Sequence, residues 1–468
     1  MNRKVMGAMI TLISSLMISN VLYHILRADV LTAQFSSPAG IAVFVALTIV
    51  PYGAAYFLVR RFILPVNRDL VATNSATLYF RLTFNLLKIS LVSSAIILGI
   101  LTIEIATTSK FHVFLTILAM QPNVLLTTTI FAYAGIKFLS WFRSNRDLAV
   151  LFFGAAFISI ALGISTSDIA QTSFFLLGST DRIEGSIANL QDVAGYSESA
   201  NEKSETLPHA AYVATQFPLR LAYGLYWMAV VMLLRRYSEK IGRLKFWVLI
   251  TLPLVTFIVG SIFTYGDLVP QLYQGIILVT ATLFGGILFG LIFLTIARAL
   301  RGNSTDKNVG QPNTTTSFSN NSESTIWRHL TMSAFGTILF LITNNPTNHI
   351  IDWTHIPYPP YADVVWSFIG FASYMYSFGL FFSTISISQN TKLRKSMHNL
   401  AMDEADMLRG LGKARMHEEI QKRVTKISKE QEELLKEQTG IEQKVTEDEM
   451  KQYADEVMKE IQKVSHKY

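Results

Sequence analysis

The chain contains no cysteine among its 468 residues, which excludes disulfide bridges, thiolate zinc sites and catalysis by a cysteine nucleophile. Charged residues are also scarce, at 16% of the chain, whereas hydrophobic residues make up 50%. The apolar residues come in blocks longer than a soluble core requires. A protein that is soluble throughout is therefore excluded, and a membrane protein is indicated.

Charge is distributed unevenly along the chain. Residues 1–388 carry 24 Lys and Arg against 17 Asp and Glu, while residues 389–468 carry 16 of each sign. The first part therefore holds the whole net charge of +7, and the second is neutral but dense in charge. This split predicts a membrane region followed by a polar tail.

Ten apolar stretches are each long enough to cross the roughly 30 Å hydrocarbon core of a bilayer as a helix. In a helix every backbone polar group is satisfied within the segment, as lipid requires. The predicted fold is therefore an all-α, polytopic transmembrane bundle of about ten helices. The predicted spans are 5–27, 38–59, 83–106, 112–139, 148–176, 211–234, 246–265, 273–297, 329–350 and 364–387.

The basic residues predict the orientation of this bundle, because short cytoplasmic loops collect Lys and Arg. With the amino terminus inside, 19 Lys and Arg fall on the cytoplasmic side, and the outside receives Arg27, Lys110, Arg182 and Lys203. We therefore expect a multi-pass protein of the cell membrane with both termini in the cytoplasm.

Four regions follow from the spans and from local composition. Residues 1–300 hold helices 1–8, and residues 328–388 hold helices 9 and 10. Between them, residues 301–327 are so rich in Asn, Ser and Thr that they predict a disordered cytoplasmic linker. Residues 389–468 form a charged, helical cytoplasmic tail.

The tail has the periodicity of an amphipathic helix with heptad character. Its apolar positions include Leu393, Met397, Leu400, Met407 and Leu411, with charged residues between them. Such a helix predicts a partner through residues 393–435, either a second copy in a homodimer or another cytoplasmic protein. The alternative is that the tail folds back on itself. Besides these, the lipid bilayer is the expected partner, and no nucleic acid is expected.

The familiar fingerprints of enzymes are missing from the sequence. It contains no phosphate-binding loop, no dinucleotide-binding fingerprint and no H-E-x-x-H zinc motif. His417 is followed by two glutamates, but too little chain remains after it for a kinase domain. We predict no enzyme and no cofactor; a membrane enzyme would require Glu104, Asp168 and His349 to meet.

Polar residues within the spans are the default functional candidates. Counting about 1.5 Å per residue along each helix places several of them at one level in the outer half of the membrane. This outer polar layer predicts a shallow ligand-binding cavity, with Arg220 paired to Asp168 or Glu104. The alternative is that these residues lie at the membrane boundary and reach headgroups or water. The layer comprises Glu104, Gln121, Asn123, Asp168, Arg220, Asn344 and Asn345.

Two further patterns carry specific predictions. His349, Asp352 and His355 have a spacing that could supply ligands to a transition metal from an irregular loop. Small residues at helical spacing, Gly286 with Gly290 and Gly163 with its neighbours, predict close helix packing.

The segment KLRKSMHNLAMDEADMLRGLGKARMHEEIQKRVTKISKEQEELLKEQTG, attached to a many-helix bundle, resembles the sensor-like membrane proteins of ammonia-oxidising archaea. The resemblance covers residues 389–468 and the bundle in outline. It implies a membrane-embedded input module with a cytoplasmic signalling helix, and it implies no catalytic residue.

We therefore predict an integral membrane sensor or scaffold, with the outer polar layer as input and the tail as output or docking surface. The alternative is a secondary transporter of a small solute, built from two five-helix halves. The middle turns of the spans hold mainly Ser, Thr, Gly and aromatic residues, whereas a proton-coupled carrier needs an ionisable residue there.

Overall fold

A computed structural model describes residues 3–27, 37–65, 78–108, 110–177, 184–186, 206–265, 271–306, 319–344 and 360–408, together with 422, 425–426, 428–430 and 432–433. These ranges are almost entirely helical. Ten helices within them are long and apolar enough to cross a membrane, which confirms the predicted fold class and the predicted number of spans.

Each of the ten helices overlaps the span that the sequence predicts. The tenth has two parts, α10a and α10b, separated by a turn at Ser367 and Phe368. The helices are α1 (Arg3–Arg27), α2 (Pro38–Leu58), α3 (Leu78–Thr108), α4 (Val113–Asn145), α5 (Leu148–Leu177), α6 (Thr206–Arg235), α7 (Arg243–Tyr265), α8 (Gln271–Asp306), α9 (Ser319–Asn344), α10a (Tyr361–Trp366) and α10b (Ile369–Leu408).

The start of α2 shows how local chemistry sets a helix boundary. Ser37 has an extended backbone, and its hydroxyl accepts a hydrogen bond of 3.3 Å from the Gly40 amide. Pro38 follows at the first helical position, where its missing amide hydrogen costs nothing. After Leu58 the helix widens into a π-helical turn, Val59–Ile63, which carries Arg60 and Arg61.

One small strand pair interrupts the helical pattern, and the sequence analysis did not predict it. β1 (Lys110–His112) pairs antiparallel with β2 (Glu184–Ser186), with Lys110 opposite Ser186. This pair ties the connection between α3 and α4 to the segment that follows α5.

The last helix forms the centre of the bundle. Every residue from Tyr361 to Ile385 is buried. Within the bundle, α10b packs mainly on α9 and α4, and α10a packs along α1. By contrast, α7 is the least buried of the ten spans. The other helices therefore enclose a span that is less apolar than most of them.

The outer surface of the bundle is strongly apolar. Leu244 is 80% exposed, and Tyr56 and Phe217 are each 67% exposed, as part of a larger set of exposed aliphatic and aromatic side chains. Apolar surface on this scale would be unfavourable in water and is satisfied by lipid. The bundle is therefore an integral membrane protein in contact with the bilayer.

Glycines allow the backbones of α9 and α10b to approach each other closely. A Cβ atom on Gly336 would lie 2.6 Å from the Met375 carbonyl carbon and still closer to the Tyr376 amide. A Cβ atom on Gly379 would lie 2.6 Å from the His329 carbonyl oxygen. Only glycine fits at either position, because no side chain can share that space with a neighbouring backbone.

The glycine pattern that the sequence analysis singled out also lies at a helix contact. A Cβ atom on Gly290 of α8 would lie 2.8 Å from the Ile338 side chain, and Gly286 faces the same residue of α9. Gly163 of α5 lies against Leu219 of α6. The predicted close packing at these small residues is confirmed.

Three predicted region boundaries fall inside helices. α8 continues to Asp306 and α9 begins at Ser319, so both ends of the predicted linker 301–327 are helical, while residues 307–318 lie outside the described part of the chain. The predicted boundary between residues 388 and 389 falls inside α10b. That helix has 40 residues and a length of about 60 Å.

The contact between α9 and α10b yields a direct test. We expect Gly336→Ala to lower the free energy of unfolding by about 1–3 kcal/mol, because the added methyl group forces two backbones apart. Thermal or denaturant unfolding of the purified protein would measure the loss. Gly99→Ala on α3 is the matched control, since a Cβ atom there meets nothing within 4 Å. Equal stability of the two variants would contradict the close contact.

Candidate functional site

The outer polar layer is partly assembled in the structure, at the contact between α4 and α5. The Gln121 amide nitrogen donates a hydrogen bond of 2.7 Å to Asp168 Oδ1. Both side chains are half-buried. The sequence analysis expected Arg220 to pair with Asp168 or Glu104. The hydrogen bond that the Asp168 carboxylate accepts here comes from the Gln121 amide.

The other described members of the layer range from buried to exposed. Arg220 is exposed on α6, Glu104 is half-buried on α3, and Asn344 is half-buried at the end of α9. Asn345 and the predicted metal ligands His349, Asp352 and His355 lie outside the described residues. Among the residues that are described, no group of three or more His, Asp or Glu could hold a metal ion.

Asn123 is the member of the layer that the structure places deepest, at 0% exposure. Its Oδ1 accepts a hydrogen bond of 2.7 Å from Ser90 Oγ, and its Nδ2 donates one of 2.7 Å to Ser94 Oγ. Ser94 in turn donates to the Ala119 carbonyl oxygen at 2.8 Å. The two ends of one amide therefore bind two serines of α3 to α4.

The last helix passes directly beside this amide. A Cβ atom on Gly370 would lie 2.9 Å from Asn123 Oδ1 and 3.2 Å from the Leu126 side chain. The Asn123 cluster, defined here as Asn123, Ser90 and Ser94, therefore borders the central helix through a glycine. A shift of α10b at this level would press on the amide that joins α3 to α4.

The sequence analysis singled out Asn123 but missed both serines. Ser90 and Ser94 are four residues apart, which places two hydroxyls on one face of an otherwise apolar helix. That spacing is a usable signal for an interhelical contact. It does not identify the partner, because either hydroxyl could equally bond a carbonyl of its own helix.

Aromatic rings fill the middle of the bundle. The Tyr376 ring on α10b lies 5.7 Å from Phe131, 5.3 Å from Phe157, 5.5 Å from Tyr226 and 5.6 Å from Phe340, measured between centroids. These five residues, which we call the aromatic core, come from five different helices and are all buried. Edge-to-face packing of this kind adds attraction beyond burial alone.

A second polar contact holds α10b where it leaves the bundle. Ser388 Oγ accepts hydrogen bonds from the Asn145 side-chain amide and, at 3.4 Å, from Trp141 Nε1. Ser388 is 2% exposed and Trp141 is fully buried. Two side chains at the end of α4 therefore hydrogen-bond to α10b at the point where the predicted tail begins. We call these three residues the Ser388 clamp.

An ion pair lies at the same end of the bundle. Arg236 after α6 donates to Asp147 Oδ1 at 2.5 Å, and the same oxygen accepts from the Ala149 amide at 3.0 Å. Asp147 thereby caps the start of α5 while it binds the end of α6. This arrangement braces the turn that follows Asn145.

These observations define the class of protein: an integral, multi-pass membrane protein with a buried central helix. A comparison of the chain with protein-family models, curated proteins and solved structures finds no match. Its function is therefore argued from its own geometry.

The Asn123 cluster can be tested with a double-mutant cycle. We expect Ser94→Ala and Asn123→Ala each to lower the free energy of unfolding by about 0.5–1.5 kcal/mol, the range of interhelical hydrogen bonds in membranes. The double variant should lose less than the sum, because the two side chains share one bond. Ser93→Ala is the control, since Ser93 donates to the Ser90 carbonyl of its own helix. Additive losses would contradict the cluster.

Proposed function

We propose that this protein is a membrane-embedded sensor or scaffold in which the central helix carries the state of the bundle to a cytoplasmic tail. The observation that supports it is the continuity of α10b, which is enclosed by other helices up to Ile385 and continues as one helix to Leu408. A rigid helix transmits a displacement at one end to the other.

The input in this proposal lies in the half of the bundle that holds the Asn123 cluster. Asn123 is both donor and acceptor, so its amide can exchange partners when the distance between α3 and α4 changes. Gly370 of α10b lies against that amide. A ligand that favours one of two packings there would shift the population of α10b positions.

The output lies at the Ser388 clamp. The clamp joins the end of α4 to α10b just before the tail, so it sets the direction in which the tail helix leaves the membrane. Breaking these hydrogen bonds would release the tail without unfolding the bundle. The tail surface over residues 393–435 would then be presented to a second copy or to a cytoplasmic partner.

The aromatic core favours this function over the alternative of a secondary transporter. A carrier needs a polar route between its halves near the middle of the membrane. Here the middle is occupied by interlocked rings from α4, α5, α6, α9 and α10b. A packed centre of this kind supports transmission of movement through α10b.

The orientation with both termini in the cytoplasm is part of the proposal, and so is kinship with the archaeal sensor-like proteins. The absence of cysteine makes the orientation simple to test. We expect a membrane-impermeant maleimide to label a Ser197→Cys variant in intact cells. A Ser465→Cys variant should be labelled only after the cells are permeabilised. Labelling of Ser465→Cys in intact cells would overturn the proposed orientation.

Coupling between bundle and tail can be measured on the full chain in lipid nanodiscs. Spin labels on Leu244→Cys in α7 and Lys395→Cys in α10b would report the distance from bundle to tail. We expect Gly370→Ala to shift this distance distribution, although the substitution lies about 38 Å along the helix from the tail label. Gly99→Ala is the control and should leave it unchanged. An unchanged distribution in both variants would refute transmission through α10b.

The clamp is tested with the same labelled pair. We expect Asn145→Ala to broaden the distance distribution, because Ser388 loses one of its two donors. Ser144→Ala is the matched control, since Ser144 donates to the Trp141 carbonyl of its own helix at 3.2 Å. If both variants behave like the parent protein, the clamp does not position the tail.

A further inference from the structure

Three buried polar atoms on α10a and α1, two helices that pack on each other, have no hydrogen-bond partner among the described residues. Asp363 is 3% exposed, and its Oδ2 has no hydrogen-bond partner within the described part of the chain. The same holds, over those residues, for Ser19 Oγ and Asn20 Oδ1 on α1. Leaving polar groups without partners in an apolar interior costs several kcal/mol each by transfer measurements, so such atoms point to a missing partner.

The two helices that carry these atoms pack against each other. α10a packs closely along α1, and Tyr23 lies in one apolar cluster with Tyr361, Ala362 and Val364. Ser19 and Asn20 lie one turn before Tyr23 on the same side of α1. The Asn20 amide nitrogen donates a hydrogen bond of 3.2 Å to the Ile342 carbonyl near the end of α9, whereas its oxygen has no partner within the described ranges.

We propose that Asp363, Asn20 and Ser19 form a binding site for one hard monovalent cation between α1 and α10a. A carboxylate, an amide and a hydroxyl oxygen are the ligands that hard cations prefer. A single carboxylate balances a single positive charge. Calcium, by contrast, takes six to eight oxygen ligands and is usually held by several carboxylates.

The role of this cation site rests on the proposed sensor function, because the bound cation would be the input that the sensor detects. A cation bound to Asp363 would hold the start of the central helix against α1. Its release would leave an uncompensated carboxylate in the bundle and would favour movement of α10a. The central helix would then report cation occupancy to the tail.

Cation binding can be measured on the full-length protein in detergent, without knowing its function. We expect NaCl or KCl to raise the melting temperature by about 3 °C or more relative to choline chloride at equal ionic strength, because a ligand that binds only the folded state stabilises it. Trp366, whose indole nitrogen is another buried atom lacking a described partner, provides a local reporter one helical turn from Asp363. Its ¹⁹F signal in fluorotryptophan-labelled protein, assigned with Trp366→Phe, should shift on titration with the same salts.

Two isosteric variants separate the site from general salt effects. Asp363→Asn should abolish both responses, and in choline chloride it should be at least as stable as the parent protein because a buried lone carboxylate is gone. Asp147→Asn should keep both responses, since Asp147 pairs with Arg236 at the other end of the bundle.

The outcomes divide clearly. Identical melting temperatures and spectra in sodium, potassium and choline chloride would overturn the site and indicate a protonated or hydrated carboxyl. A full response in Asp363→Asn would also overturn the site, because the carboxylate would not be a ligand. If both responses appear but the distance from Leu244→Cys to Lys395→Cys does not change with the salt, the cation site stands and its link to the sensor function fails.

Discussion

The close contact between α9 and α10b is the constraint on which the rest of the bundle depends. Lipid offers little hydrophobic driving force between apolar helices, so their association relies on close packing and on interhelical hydrogen bonds. Gly336 and Gly379 let the two backbones meet where any side chain would hold them apart. Once α10b is held there, α4 and α3 can pack on it, and the aromatic core closes on Tyr376.

The second constraint is that polar groups in such a bundle must find partners inside it. Asn123 meets this demand with two serines of α3, and Ser388 with two donors of α4. Both sites therefore include α4, and both border the central helix. Along α10b, polar contacts lie near Gly370 and at Ser388, and aromatic contacts lie between them.

Particular residues show which features of the fold and of the candidate site could be predicted from the sequence. Hydropathy alone located all ten spans, and the small residues Gly286 and Gly290 indicated a helix contact that the structure contains. Depth along each helix placed Gln121 and Asp168 at one level, and the two side chains are hydrogen-bonded. Depth along a helix does not give the rotation about its axis, so depth alone did not predict that Asp168 would accept from Gln121 or that Arg220 would be exposed. The same limit hid Ser90, Ser94 and Ser388.

By itself, the sequence determined that this chain has a bilayer as its solvent and crosses it ten times, because length and apolarity are local properties that each segment carries alone. Only the tertiary structure decided which span stands at the centre. The last span is no more apolar than its neighbours, and its burial depends on glycines of α9 and α10b and on rings from the more distant helices α4, α5 and α6. Contacts between distant segments depend on which face each helix turns toward its neighbour and on how far the helices are shifted along their axes. The composition of a single helix determines neither.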